Sequence, residues 1–334
     1  MRSASTIPLS EPISPTVRDA FRSPLACVWL PVLAAAGAFA TLDRNADAGD
    51  LLYFVHQGER MLSGVWADTF ADPTLQSGPL QLLVTGVARG TGALAFVIEL
   101  GVAALLLVVL GRLGVPKRWQ LILGLAAVAA GLTHGAFVDG HPADIVTPLV
   151  WVLAASEARR GRVLWAGALV GLTAGLELWG VLGAPVLLLA PQLRDAVKGL
   201  AVAAGVVAAQ LAPFVLFGSF HMFDYQWRVA TGTLLGTVVP VGTHFGWPLR
   251  LLQAGIACGL GGAVALRFRR SVHAVWLTPL VVVLARIALD PLAYGWYWLE
   301  AESLALVGAG LVITAPPFRA RTARQVGPVV PPSL

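Results

Sequence analysis

The chain has 334 residues, of which 57% are hydrophobic and only 12% charged. A water-soluble protein needs about 25% charged residues to wet its surface, so a soluble globular domain is excluded and the surplus apolar surface is expected to face lipid. The net charge of +5 divides among loops and does not point to nucleic acid, and the two cysteines, Cys27 and Cys258, lie in apolar runs that suit neither a disulfide framework nor a zinc site.

Residues 1–24 are rich in Ser, Pro and Arg, lack apolar periodicity and are expected to be a disordered cytoplasmic leader. The run from Leu25 to Leu42 is apolar and about one membrane span long. Ala38-Phe39-Ala40 resembles a signal-peptide cleavage site, but the long leader and the apolar chain that follows favour an uncleaved helix. A polar stretch from Asp43 to Gly78 comes next, and residues 79–90, too short to span, predict a helix at the membrane surface. Further spans are expected near 92–111, 119–134, 143–157, 163–177, 178–192, 199–217, 249–266, 273–289 and 298–315. With the first they make ten. The expected organisation is therefore all-α: a polytopic transmembrane helical bundle over 25–315, a first extracytoplasmic loop with surface helices over 43–91, and a disordered cytoplasmic tail over 316–334.

Charge predicts the orientation, because Lys and Arg are retained on the cytoplasmic side. Arg2, Arg18 and Arg22, the clusters Arg112/Lys117/Arg118, Arg159/Arg160/Arg162, Arg194/Lys198 and Arg267/Arg269/Arg270, and Arg319/Arg321/Arg324 hold seventeen of the 23 cations. Only Glu11, Asp19, Glu157 and Asp195 share their side. Both termini are expected to be cytoplasmic, and an even number of spans agrees. The opposite side, or the membrane beside it, takes the other acids and five of the six histidines, His56, His134, His141, His221 and His244. Ionisable groups near a bilayer are costly and tend to mark function, so chemistry is expected on the extracytoplasmic face. The near-repeat Gly131-Leu132-Thr133-His134-Gly135 and Gly171-Leu172-Thr173-Ala174-Gly175 is read as close helix packing rather than a transporter repeat.

The first outer loop is the most informative segment. Asp43, Asp47, Asp50, Tyr53 and His56 follow the first span, Asp47, Asp50 and Phe54 recur at about helical spacing, and Ser77-Gly78-Pro79-Leu80 returns the chain to the membrane. Further on stand Gly140-His141-Pro142-Ala143-Asp144 at a helix start, Gly171-Leu172 through Leu178-Trp179 and Pro185, and Asp290-Pro291 followed by Tyr294, Tyr297 and Trp298. Taken together, these landmarks over residues 43–300 resemble the GT-C superfamily of integral membrane glycosyltransferases, in particular its bacterial mannosyltransferase-like branch. Glu177 departs from that pattern, where a basic residue would be expected, and the chain is shorter than most such enzymes.

The resemblance implies sugar transfer from a polyprenyl-phosphate-linked donor to an envelope glycan or glycolipid at the outer face of a bacterial plasma membrane. A carboxylate must then take the proton of the acceptor hydroxyl; Asp50 is the first candidate, Asp47 the second and Asp43 the third. A cation must stabilise the departing phosphate, with Arg286 and Arg228 as candidates, although Arg286 also suits an ion pair with Asp290 one turn on. Tyr53, His56, His141, Asp144, Glu177, Trp179, His244, Asp290, Tyr294 and Tyr297 complete the expected substrate-binding set, with Trp227, Trp247 and Trp296 as further aromatic candidates. Interfacial anchoring is the competing reading for the aromatic residues.

No cofactor is established by the sequence. A divalent cation, Mg or Mn, is one option, and His134, Asp139, His141 and Asp144 present metal-compatible groups, but H-x4-D-x-H-x2-D is no strong ligand pattern. The ATPase, serine-hydrolase and zinc-protease motifs do not occur. A transporter or lipid flippase is the alternative, disfavoured because Glu99 is the one acid expected deep in a span. A catalytically silent assembly partner is the third reading. Partners are thus the bilayer, the lipid-linked donor and the acceptor, without nucleic acid.

Overall fold

The computed structural model describes residues 23–314; the expectations for a leader before residue 23 and a tail at 316–334 lie outside the described residues. Among the described residues the chain is all-α, with no β-strand. We number the helices α1 (Leu25–Asp43), α2 (Leu51–Met61), α3 (Pro79–Ala88), α4 (Thr91–Arg112), α5 (Lys117–Ala129), α6 (Leu132–Val138), α7 (Ala143–Arg159), α8 (Val163–Thr173), α9 (Leu193–Phe217), α10 (Trp247–Arg267), α11 (Ala274–Ala288) and α12 (Trp298–Thr314). A 3-10 segment, Leu178–Leu189, lies between α8 and α9.

Among the described residues, five helical stretches are long and apolar enough to cross a membrane: α1, α4, α9, α10 and Gly295–Thr314, which contains α12. A sixth candidate is the pair α5 and α6, bent by 40°. The bend falls at Gly131, whose φ of +80° is the left-handed conformation that glycine adopts without strain. The stretch expected as one span near 119–134 is therefore two helices, which form a broken span or a re-entrant loop; the span expected near 143–157 is α7, of 17 residues, and those near 163–177, 178–192 and 273–289 are shorter apolar elements.

Side-chain size decides which helices meet. α1 buries Val28, Val32, Ala36 and Ala40, one residue per turn, against α4 and α5. α9 buries only Ala196, Gly199, Ala203 and Phe214, while Leu193, Val197, Leu200, Val215, Leu216 and Phe217 stay exposed. Its small stripe lies on α8, where a Cβ on Gly167 would fall 2.1 Å from the Gly199 carbonyl oxygen. Small residues of this kind let helix backbones approach when lipid already solvates the large side chains. An exposed apolar surface like that of α9 suits lipid, and would be a liability in water.

The 3-10 segment repeats every three residues. Gly180, Gly183, Val186 and Leu189 form its buried column, with a Cβ on Gly183 falling 2.2 Å from the Trp151 indole nitrogen. That nitrogen donates hydrogen bonds to the Gly180 carbonyl and the Thr173 hydroxyl, which fixes the segment to α7 and α8.

The two ends of the bundle differ in charge. At the basic end Glu157 receives Arg112, Arg160 and Arg162, while Arg159 donates to the Ser271 carbonyl, Arg160 to that of Arg112 and Arg269 to that of Ala190. These contacts draw together the ends of α4, α7 and the 3-10 segment with the α10–α11 turn. At the opposite, acidic end the segment 43–78 docks on the loop 218–246. There the His221 amide donates to Phe70, the Ser219 amide to Asp68, and the Trp227 indole to Gln76.

Candidate active site at the acidic end

Two glycines bring the centre of the site together. Gly49 has φ +50° and Gly140 has φ +79°; a Cβ on the first would lie 2.8 Å from the Asp139 carbonyl oxygen, and on the second 2.7 Å from the Asp50 amide nitrogen. No side chain fits between these backbones, so the turn before α2 lies directly on the turn before α7. Asp50 stands at the N-terminus of α2 but makes no capping bond with its side chain. Its carboxylate turns instead to His141, with Oδ2 3.2 Å from Nε2.

The other ring nitrogen of His141 lies 3.8 Å from Glu177 Oε1. The imidazole also stacks nearly parallel on Trp296, with centroids 4.9 Å apart, and Trp296 stacks on Tyr294 at 4.2 Å. Burial disfavours an imidazolium here, but the hydrogen bonds to Asp50 and Glu177 and the charge of Glu177 outweigh it, so the His141 pKa is pushed up to about 10. The same hydrogen bond holds Asp50 below its ordinary value, and its side chain remains 66% exposed. The result is an ionised, accessible carboxylate beside an imidazolium and a two-ring aromatic face.

Glu177 is held from below and from the side. It forms an isolated bridge with Ser77, the Gly78 amide donates to the Leu176 carbonyl, and the Leu80 amide to that of Gly175. A Cβ on Gly78 would lie 2.4 Å from the Gly175 carbonyl oxygen. The loop-return residues Ser77 to Leu80 and the stretch around Glu177, far apart in sequence, are thus one contact. Trp179 donates its indole N–H to Glu177 Oε2 at 2.5 Å.

Beneath this layer lies Arg286 of α11, buried with its guanidinium 4.3 Å from the Trp179 ring centroid and 4.8 Å from that of Tyr297. It pairs with Glu300 of α12 and lies 4.0 Å from Asp290. The expected contact with Asp290 is therefore present, but Glu300, absent from the sequence-based set, is the nearer partner. Glu300 is an acid in an apolar run fourteen residues after Arg286, and only that placement signalled it. Asp144, in the first turn of α7, is fully buried in the same cluster.

Several expected site residues fall elsewhere. Asp43 lies 2.5 Å from the His134 imidazole and within hydrogen-bond reach of Glu99, which also accepts from Thr133 at 3.4 Å. This is a second cluster, at the junction of α1, α4 and α6. Asp47 and His56 are exposed, and Tyr53 donates to Asp72 at 2.9 Å within the first loop. Arg228 and His244 are exposed and face each other across an isolated antiparallel bridge in the loop 218–246.

Because His134 turns to Asp43 and His141 to Asp50, the H-x4-D-x-H-x2-D residues separate into different pairs. Among the described residues no three or more His, Cys, Asp or Glu side chains are arranged to hold a metal ion. An apolar groove of about 170 Å³ runs between α3, α4 and α7, lined by Val84, Val97, Ile98, Val102, Val146 and Leu176. It reaches Pro142, the neighbour of His141 in sequence. No family model, curated protein or solved structure matches the chain.

Proposed function

We propose that the chain is a GT-C-like membrane glycosyltransferase working at the extracytoplasmic face of a bacterial plasma membrane. It has about ten passes, the five long helices together with the bent α5–α6 pair and the shorter elements α7, α8, Leu178–Leu189 and α11, with both termini cytoplasmic. Its donor is a polyprenyl-phosphate-linked sugar and its acceptor an envelope glycan or glycolipid. The observation that carries this reading is the accessible Asp50 carboxylate, held beside the His141 imidazolium and the stacked rings of Trp296 and Tyr294.

In this reading Asp50 takes the proton of the acceptor hydroxyl as its oxygen bonds to the anomeric carbon. The bond from that carbon to the phosphate oxygen breaks, and its electron pair leaves with the polyprenyl phosphate. His141 supplies positive charge beside the reacting atoms. It replaces Arg286 in that role, since the Arg286 guanidinium is enclosed by Trp179, Tyr297 and Glu300. The aromatic pair offers a stacking face for the sugar, and the apolar groove beside Pro142 suits an isoprenoid chain.

The test is a membrane assay with radiolabelled polyprenyl-phosphate sugars. Asp50→Asn is expected to lower transfer by about a hundredfold or more, the scale of a lost general base, while the protein remains folded. Transfer at the wild-type rate in that variant would remove Asp50 from the mechanism. A transporter or flippase is the second reading; it rests on a single buried acid, Glu99 of α4 beside Asp43. Substrate counterflow in proteoliposomes, unaffected by Asp50→Asn and lost in Glu99→Gln, would establish that reading instead.

A further inference from the structure

Asp144 on α7 and Glu300 on α12 are 1% and 0% exposed and lie within hydrogen-bond reach of each other. Yet Asp144 Oδ2 and Glu300 Oε2 are both buried without a hydrogen-bond partner. An ionised carboxylate only accepts hydrogen bonds, so two carboxylates side by side cannot satisfy one another, and buried polar atoms are rarely left unpaired.

The surrounding charge points the same way. Glu177 bears on the pair from the turn after α8, Arg286 from α11, His141 from the turn before α7, and the Tyr297 phenol lies against Arg286, whose guanidinium is 4.0 Å from Asp290. Four buried or half-buried carboxyl groups thus meet two cations, one of which already serves Asp50. The acids are not gathered in an arrangement that would hold a metal ion.

We infer that Asp144 and Glu300 share one proton and form a proton-binding site beneath the aromatic layer. One proton converts one group into a donor, which satisfies both orphaned sides and removes a negative charge from a site that water does not reach. The ion pair with Arg286 holds the negative charge on Glu300, so Asp144 is the donor. The pair then acts as a positioning device: it holds the guanidinium against Trp179 and Tyr297 and keeps Asp144 from competing for it. The inference rests on burial and hydrogen bonding, and stands whether or not the protein transfers sugars.

The experiment uses the purified full-length chain in lipid nanodiscs at neutral pH. Infrared spectroscopy of the wild type is expected to show a protonated-carboxyl C=O stretch that disappears in both Asp144→Asn and Glu300→Gln. Thermal melting supplies the second measurement. Asp144→Asn is expected to melt close to the wild type, because its amide N–H donates to Glu300 as the acid O–H does, whereas Asp144→Ala melts lower. A band that persists in both amide variants would overturn the inference. So would an Asp144→Asn protein as unstable as Asp144→Ala, including one that does not fold.

Discussion

The imidazole of His141 lies between Asp50 and Glu177, and this gives stability a defined dependence on pH. Its pKa rises from an ordinary 6.5 to about 10, so the imidazolium favours the folded state. That contribution is complete below pH 6.5 and is lost as pH rises through about 10. Asp50 acts in the opposite sense: its depressed pKa adds stability above its ordinary 3.8 that is lost in acid, a share kept small by its exposure. Melting points of the wild type and His141→Gln are therefore expected to differ at neutral pH and to converge toward pH 10. Parallel pH profiles would show that His141 is not charged in the native protein. At this scale the sequence disclosed which residues were unusual, but not their partners. His134 and His141 are seven positions apart and choose different aspartates, because the turn at Gly140 sends only the second toward Asp50. The contact of Arg286 with Asp290 was legible because it is one helical turn long; that with Glu300 needs two helices to meet.

Among the elements, α2 and α3 form a hairpin whose crossing allows no side chain. A Cβ on Gly58 would lie 2.3 Å from the Leu82 carbonyl oxygen, and one on Gly86 2.5 Å from the Gly58 carbonyl carbon. Since α2 begins beside Asp50, this crossing sets the approach of that residue to His141. Gly86→Val is expected to cost about 1–3 kcal/mol, the usual penalty of overpacking, and to lower the proposed transfer along with the melting temperature. Gly64→Ala is the control, since nothing lies within 4 Å of a Cβ there, and should change neither. Equal melting of the two variants would place the crossing elsewhere. Apolar run lengths located the long helices well, because about twenty apolar residues have few other uses. They did not distinguish a straight helix from the bent α5–α6 pair, nor an α-helix from the 3-10 segment. Those outcomes depend on Gly131 and on the Gly180 and Gly183 contacts, which only the neighbouring elements reveal.

Across the whole molecule, charge divides between a basic end tied by arginines and an acidic end of loops and aromatic rings. The sequence already carried that asymmetry, since Arg and Lys clusters alternate with acidic loops along the chain. The proposed orientation is checked by labelling a chain with Cys27 and Cys258 changed to Ser. A cysteine at exposed Thr231 should react with a membrane-impermeant maleimide in intact cells, and one at exposed Arg270 only after permeabilisation. The reverse pattern would invert the topology and move the site to the cytoplasm. The 3-10 segment has a consequence for reach. An α-helix of its 12 residues would extend about 18 Å, whereas the 3-10 rise carries the same residues about 24 Å. The hydrocarbon layer is about 30 Å thick, so tighter winding narrows, without closing, the gap between the length of this segment and that of a membrane crossing.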